Sequence, residues 1–127
     1  MTERLVRDVM IIGVPICRTD ERCGTVAARL TAEGERGAVV VALDDEGRSV
    51  GWAPRTAVAA AAPNDAMSMF LLEEIPVIAP EVPAGAAAQL LADQGVEYGF
   101  LMHTWPGEGR PAAFVSRRHL ALTPEHE

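Results

Sequence analysis

The sequence predicts an α+β (α/β) protein built from two βαββα repeats that are related by pseudo-two-fold symmetry. Three observations support this prediction: the chain length, a pattern of proline, small apolar residues and glycine that occurs twice, and strand signals after each copy. A chain of 127 residues suits one domain or two small repeated halves. We place the first repeat at residues 1–62 and the second at residues 63–127.

Each repeat contains a proline-containing tripeptide that predicts a short first strand. Val14-Pro15-Ile16 recurs as Ile75-Pro76-Val77, which lies 61 residues later. A short apolar segment leads into each tripeptide. Residues 5–10 and 67–72 form these two lead-ins, and we expect the second to be helical.

A helix is predicted after each tripeptide, because small apolar residues recur at positions i, i+3, i+4 and i+7. Gly34 and Gly95 follow the two runs and are predicted helix C-caps. Asp20-Glu21 and Glu81 predict an acidic first turn in each helix. The apolar face therefore places matched residues in the two halves of the core: Cys23, Val26 and Leu30 in the first, and Ala84, Ala87 and Leu91 in the second.

A two-stranded hairpin and a closing helix complete each repeat. Residues 38–43 and 99–102 are nearly continuous apolar runs, which are typical of strands covered on both faces. Turn signals follow at residues 44–47 and 106–109. Beyond these turns the segment GWAPRTAV matches AFVSRRHL at an offset of 62 residues, from Gly51 to Ala113. Each copy predicts a last strand that runs into a helix.

Composition excludes several classes of function. The net charge is −7 and the longest basic run is Arg117-Arg118, so we expect no nucleic-acid partner. All eleven basic residues are arginine, which rules out a Schiff-base lysine and a phosphate-loop lysine. The sequence predicts no signal peptide, no membrane span and no zinc or redox motif at its two cysteines. We therefore expect a cytoplasmic protein.

The order of these elements resembles a tandem pair of cystathionine-β-synthase (CBS) domains, or Bateman module. The resemblance covers nearly the whole chain and rests on VRDVM, VPI and IPV, TDERCGTVAARLTAEG, and VVVALDDEGRSVGWAPRTAV. It implies two repeats packed through their sheets, with two clefts that bind AMP, ADP, ATP or S-adenosylmethionine. It also implies a regulatory rather than catalytic role, and association of two modules into a flat dimer.

The resemblance also implies a ligand motif where the last strand meets the last helix. The motif reads Gly, two apolar residues, Ser or Thr, two variable residues, Asp and an apolar residue. Its hydroxyl faces a phosphate, its Asp accepts from the ribose hydroxyls, and the tripeptide frames adenine. In the first repeat Gly51 fits, but Pro54 and Ala57 replace the hydroxyl residue and the Asp. We therefore expect a weak or empty first-repeat cleft.

The second repeat retains more of this motif. Ser116 fits, whereas Ala113 replaces the glycine and His119 replaces the Asp; a neutral histidine can still accept from one ribose hydroxyl. Ser116 is equally a good helix N-cap, and the following two arginines are either anion ligands or solvated side chains. The predicted ligand site comprises Ile75, Pro76, Val77, Ser116, Arg117, Arg118 and His119.

Two hypotheses for the function follow. The first is a stand-alone regulatory module that senses an adenosyl ligand and acts through an unknown effector protein. The second is a degenerate pair that binds no ligand and serves as a dimerisation or docking module. A small enzyme is a third class, but no catalytic arrangement is recognisable. His103, His119 and His126 are too scattered for a metal site, and we expect no cofactor. The alanine run at residues 57–62 predicts a homodimer through closing helices.

Overall fold

The structure is a computed structural model that describes residues 4–102 and 111–121. The turn predicted at 106–109, His103 and His126 lie outside these residues. The described helices and strands confirm the α+β class, and none of these helices is long and apolar enough to cross a membrane. In chain order they are α1 (Val6–Val9), β1 (Ile11–Ile12), β2 (Ile16–Arg18), α2 (Cys23–Glu33), a 3-10 helix (Gly34–Ala38), β3 (Val39–Leu43), β4 (Ser49–Pro54), α3 (Arg55–Ala60), a second 3-10 helix (Met67–Met69), α4 (Ala84–Gln94), β5 (Tyr98–Met102), β6 (Pro111–Ser116) and α5 (Arg117–Ala121).

The two halves share one strand topology. In the first sheet, β2 is parallel to β3 and β3 is antiparallel to β4. In the second sheet, β5 is antiparallel to β6, and Val77 forms a parallel bridge to Phe100. The register across the first sheet runs Ile16, Val41, Trp52, and across the second it runs Val77, Phe100, Phe114. The predicted repeat is therefore present in the pairing of the strands.

Three apolar clusters hold the fold together. The matched helix positions behave as predicted, since each α2 or α4 residue is buried under the sheet of its own half. Burial raises the pKa of the Cys17 thiol to about 12, so that it stays a neutral core side chain. The third cluster lies between the two sheets. It comprises Val39, Val41, Leu43 and Trp52 from the first sheet and Phe100 and Phe114 from the second.

The lead-in of each half packs on the other half. Val6 of α1 is fully buried in the second core, and Met67 is fully buried in the first. Likewise β1 pairs with β6 of the second sheet, while Leu72 pairs with Trp52 of the first. The two halves are therefore joined by a reciprocal exchange of short segments, which the repeat pattern alone did not predict.

Backbone hydrogen bonds repeat this exchange with matched partners. The amide of Ala84 donates to the Arg4 carbonyl at 2.7 Å, and that of Cys23 donates to the Asp65 carbonyl at 2.8 Å. The amides of Val6 and Met67 donate to the carbonyls of Val82 and Glu21, each at 2.8 Å. A residue just before each lead-in thus accepts from the first amide of the helix in the other half, an amide that would otherwise have no partner within its helix.

These bonds explain one difference from the sequence prediction. The helices begin at Cys23 and Ala84, with Arg22 and Pro83 as N-caps, so Asp20-Glu21 and Glu81 precede the helices and do not form an acidic first turn. The exchanged lead-in occupies the position where an earlier turn would start. The predicted C-caps are confirmed, since Gly34 and Gly95 have φ values of 67° and 71°.

The first strands also differ from prediction. β2 begins at Ile16 rather than at Val14, and residues 75–77 form only the bridge at Val77. In the first half Arg29 donates to both carboxylate oxygens of Glu21, at 2.9 and 3.1 Å, and to the Ile16 carbonyl at 3.3 Å. The equivalent of Arg29 in the second half is Leu90, which cannot form this clamp and is 44% exposed.

The offset between the halves is not constant through the strands. Val41 and Phe100 occupy equivalent positions although they are 59 residues apart, because the 3-10 helix Gly34–Ala38 adds two residues to the first half. Gly37 in this helix is buried against α2. A Cβ atom there would lie 1.9 Å from the Leu30 carbonyl oxygen and 2.7 Å from its carbon. The longer connection therefore depends on glycine.

Gly37→Ala should lower the free energy of unfolding by about 1–3 kcal/mol, because the new methyl group must displace backbone of α2. Urea unfolding followed by circular dichroism measures this loss. Gly85→Ala is the matched control: Gly85 lies exposed in α4, where alanine is favoured by about 0.5–1 kcal/mol. A Gly37→Ala protein as stable as the control would contradict the assigned contact.

The exchange of lead-ins predicts that neither half is stable without the other. Fragment 1–62 lacks Met67, and fragment 63–127 lacks Val6, so each would expose a gap in its core. We expect no cooperative thermal transition from either fragment alone and a regained transition when the two are mixed in equal amounts. A cooperative transition from fragment 1–62 by itself would contradict this expectation.

Candidate ligand-binding cleft

A cleft of about 660 Å³ opens where the β4–α3 and β6–α5 joins face each other. This volume is within the range of about 300–1,000 Å³ that is typical of small-molecule sites. Much of its lining comes in equivalent pairs from the two halves, so the cleft lies across the pseudo-two-fold axis. These pairs are Ile11 with Leu72, Gly34 with Gly95, Trp52 with Phe114, Pro54 with Ser116, and Thr56 with Arg118.

Aromatic rings form one wall of the cleft. Trp52 meets Tyr98 edge-to-face with ring centroids 6.0 Å apart, and Tyr98 meets Phe114 at 6.2 Å. The Trp52 indole N–H donates to the Glu74 carbonyl at 3.0 Å, which fixes the ring. Trp52 and Phe114 are buried, which confirms that they are core residues. Burial, with a smaller effect of Glu97, raises the pKa of the Tyr98 phenol, which therefore stays protonated.

The lining of the cleft includes two arginine side chains, one from α3 and one from α5. Among residues 4–102 and 111–121, the side chains of Arg55 and Arg118 form no ion pair with a carboxylate. Each of the two carboxylates in the lining contacts a group other than these two guanidinium groups. Glu97 lies 3.2 Å from the Arg117 guanidinium and accepts from the Arg118 amide at 3.3 Å, and Glu35 lies 3.5 Å from His119 Nε2. The cleft can therefore offer two guanidinium groups to an anion.

Part of the predicted site lies together in this cleft. Ser116, Arg118 and His119 line it. The Ser116 hydroxyl oxygen accepts from the His119 amide at 3.0 Å, which confirms its role as the cap of α5. Arg117 faces a second groove beside α4, where it pairs with Glu97, and its amide donates to the Glu97 carbonyl at 2.6 Å.

The predicted tripeptide is not part of the lining. Pro76 is buried and its carbonyl accepts from the Phe100 amide at 2.7 Å, Ile75 packs on the cluster between the sheets, and Val77 is 58% exposed. These residues lie along the outer edge of the second sheet, whereas the cleft lies at the strand-to-helix joins. Their role in ligand binding stays a prediction.

The sequence analysis assigned the two strand-to-helix joins to separate clefts, whereas in the structure both joins line the same cleft. Pro54 is the N-cap of α3, and Arg55 and Thr56 follow it into the lining. The first-repeat join, expected to form a weak or empty cleft of its own, thus contributes a cation and a hydroxyl beside Ser116 and Arg118. The signal for Thr56 was available, since it stands only two residues after Pro54 in the matched segment.

No family model and no curated protein matches the sequence. Solved structures do share the architecture. A conserved CBS-domain protein of unknown function from Thermoplasma acidophilum superposes with a TM-score of 0.77 at 15% identity, over 98% of this chain and 71% of that chain. The CBS-domain pair of protein MJ0100, in complex with 5′-methylthioadenosine and S-adenosyl-L-methionine, superposes with a TM-score of 0.76 at 12% identity, over 94% of each chain.

The cytosolic domain of the Mg²⁺ channel MgtE, in complex with ATP, superposes with a TM-score of 0.72 at 15% identity. The match covers 94% of this chain and 48% of that chain, so this protein spans about half of the MgtE domain. These likenesses extend over both halves and agree with the strand pairing and with the repeated tripeptide, helix and hairpin of the sequence. The chain has the fold of a tandem pair of CBS domains.

Proposed function

We propose that the protein is a regulatory CBS-pair module that senses an adenosyl ligand in the cleft between its halves and acts through a partner chain. The ligand class is AMP, ADP, ATP or S-adenosylmethionine. Two proteins of the same fold were solved with such ligands, one with S-adenosylmethionine and 5′-methylthioadenosine and one with ATP. At 12–15% identity they support the class without naming its member.

One observation carries the proposal: two arginines that have no carboxylate partner in the described part of the chain stand beside an aromatic wall. Arg55 and Arg118 come from opposite halves and line the same cleft. A guanidinium group recognises phosphate oxygens through paired N–H donors. The half-buried Tyr98 ring and the exposed Leu72 side chain supply apolar surface for a purine, and the volume accommodates a nucleotide. Among the proposed ligands, this charge favours the phosphorylated ones over the sulfonium of S-adenosylmethionine.

The position of a local cationic site within an acidic protein affects how the affinity for an anion depends on salt. The net charge of −7 repels anions at long range, so binding depends on short-range contacts inside the cleft. Salt screens the long-range repulsion as well as the attraction to the arginines. We therefore expect only a modest net dependence of affinity on ionic strength, unlike that of a protein with a broadly basic surface.

The second candidate is a pair without ligand that serves as a dimerisation or docking module. It is favoured by the same departures that weaken the ligand motif, with Pro54 and Ala57 in the first join and His119 in the second. Exposed small residues on and after α3, including Ala59, Ala60 and Ala62, would let a helix of a second copy approach closely.

The first functional prediction concerns Arg118. Arg118→Ala should weaken binding of ATP by about ten- to a hundred-fold, since a charge-assisted hydrogen bond contributes about 1.5–3 kcal/mol. Arg55→Ala should weaken it to a similar extent, because both side chains line the cleft and neither pairs with a carboxylate of residues 4–102 or 111–121. Titration calorimetry with AMP, ADP, ATP and S-adenosylmethionine measures these changes.

Arg48→Ala serves as the matched control, because Arg48 pairs with Glu46 on the hairpin turn and does not line the cleft. This variant should bind as the wild type does. Equal losses in Arg48→Ala and Arg118→Ala would refute the assigned site. If no adenosyl compound binds at millimolar concentration, the docking-module function replaces the sensing function.

The homodimer is a separate prediction. We expect light scattering to give the mass of two chains at tens of micromolar, the concentration at which a contact of moderate affinity is populated. Ala59→Glu should shift the protein toward monomer, because a carboxylate on this exposed helix face blocks close packing. A monomer at every concentration of the wild type would remove the dimer from the proposal.

A further inference from the structure

The lining of the cleft contains a carboxylate that keeps acceptor capacity for a ligand. Glu35 lines the cleft, and 70% of its side chain is exposed. Its contact with His119 joins Nε2 of the imidazole to Oε2, one of the two carboxylate oxygens, at 3.5 Å. A carboxylate can accept about four hydrogen bonds, so this contact leaves most of the capacity of Glu35 to hydroxyl groups of a ligand.

Glu97, the other carboxylate of the lining, is less suited to this role. Its Oε1 lies 3.2 Å from the Arg117 guanidinium, and its Oε2 accepts from the Arg118 amide at 3.3 Å. Both oxygens of Glu97 therefore hold the beginning of α5, and a ligand that used them would compete with these contacts. Glu35 is the carboxylate that a ligand can reach without this competition.

The position of Glu35 is fixed by the backbone around it. It is the second residue of the 3-10 helix Gly34–Ala38, which contacts α3 and is held against the Leu30 carbonyl at Gly37. The equivalent of Glu35 in the second half is Val96, which also lines the cleft. The two halves thus line equivalent places with a carboxylate and an apolar side chain, and this difference gives a ligand with hydroxyl groups one preferred orientation.

We propose that Glu35 binds the two neighbouring hydroxyl groups of a ribose, so that the cleft prefers ribonucleotides to nucleotides whose sugar lacks these hydroxyls. The inference rests on the proposed function, since it assumes a nucleotide ligand. The carboxylate oxygens accept from both hydroxyls through charge-assisted bonds, while Arg55 and Arg118 donate to the phosphates. A nucleotide without the hydroxyls loses these bonds and still brings its phosphates near the same negative charge. Glu35 therefore makes the sugar a determinant of specificity.

The test compares ATP with 2′,3′-dideoxy-ATP, which lacks both hydroxyls, by titration calorimetry on the full chain. We expect ATP to bind at least about tenfold more tightly, because the dideoxy compound loses the charge-assisted bonds to the carboxylate. A ratio of dissociation constants below about threefold would overturn the inference while leaving the proposed function in place. Binding of neither compound would defeat both.

A pair of variants tests the residue itself. Glu35→Ala removes the acceptor and should lower this ratio to about one. Glu33→Ala is the matched control, because it changes the net charge equally, whereas Glu33 pairs with Arg36 at 3.7 Å and does not line the cleft. The control should keep the wild-type ratio. Thermal melts establish folding, and Glu35→Gln, which retains the length of the side chain and should also lower the ratio, replaces Glu35→Ala if that variant does not fold. A wild-type ratio in a folded Glu35 variant would overturn the assignment to Glu35.

Discussion

The exchange of lead-in segments is the constraint on which the remaining structure depends. Each core contains one buried side chain that belongs in sequence to the other half, Val6 in one case and Met67 in the other. Each main helix begins at an amide that donates to a carbonyl just before the other half's lead-in. Neither half can move away without breaking its neighbour's core, and this fixes the two strand-to-helix joins against each other. The cleft exists because these joins face one another.

The chemistry of the cleft follows from this placement. Arg55 and Arg118 stand in separate repeats and meet only because the halves are locked together. Glu35 and His119 form a contact of the same kind, from the 3-10 helix of one half to α5 of the other. A ligand held between the arginines would therefore touch both halves at once. Under the proposed function, such a ligand would report its presence by changing how the halves sit against each other.

The sequence was sufficient to predict the repeat, the two buried helix faces, the glycine caps and the buried strands, because these depend on local periodicity. It singled out Ser116, Arg118 and His119 through their place in a motif, and the structure brings these three residues together in one cleft. It did not predict the crossing of the lead-ins, since a short apolar segment does not specify which of two similar cores it enters. Nor did it place Thr56 beside Ser116, because that proximity arises only when the two halves assemble. The alignment of the two repeats was wrong by two residues at β3 and β5, because the Gly34–Ala38 helix makes the first half longer there.

The difference between the two outer sheet edges has a consequence for behaviour in concentrated solution. The first edge carries the clamp of Arg29 and Glu21, and fixed charges on an edge discourage pairing with another chain. The second edge has Val77, 58% exposed, and Leu90 in place of the clamp arginine. Ile16, at the equivalent place on the first edge, is 47% exposed as well, so the two edges differ chiefly in the clamp, and the second is the less protected against added strands. A single charged residue at position 77 or 90 would give the second sheet the protection that the first already has.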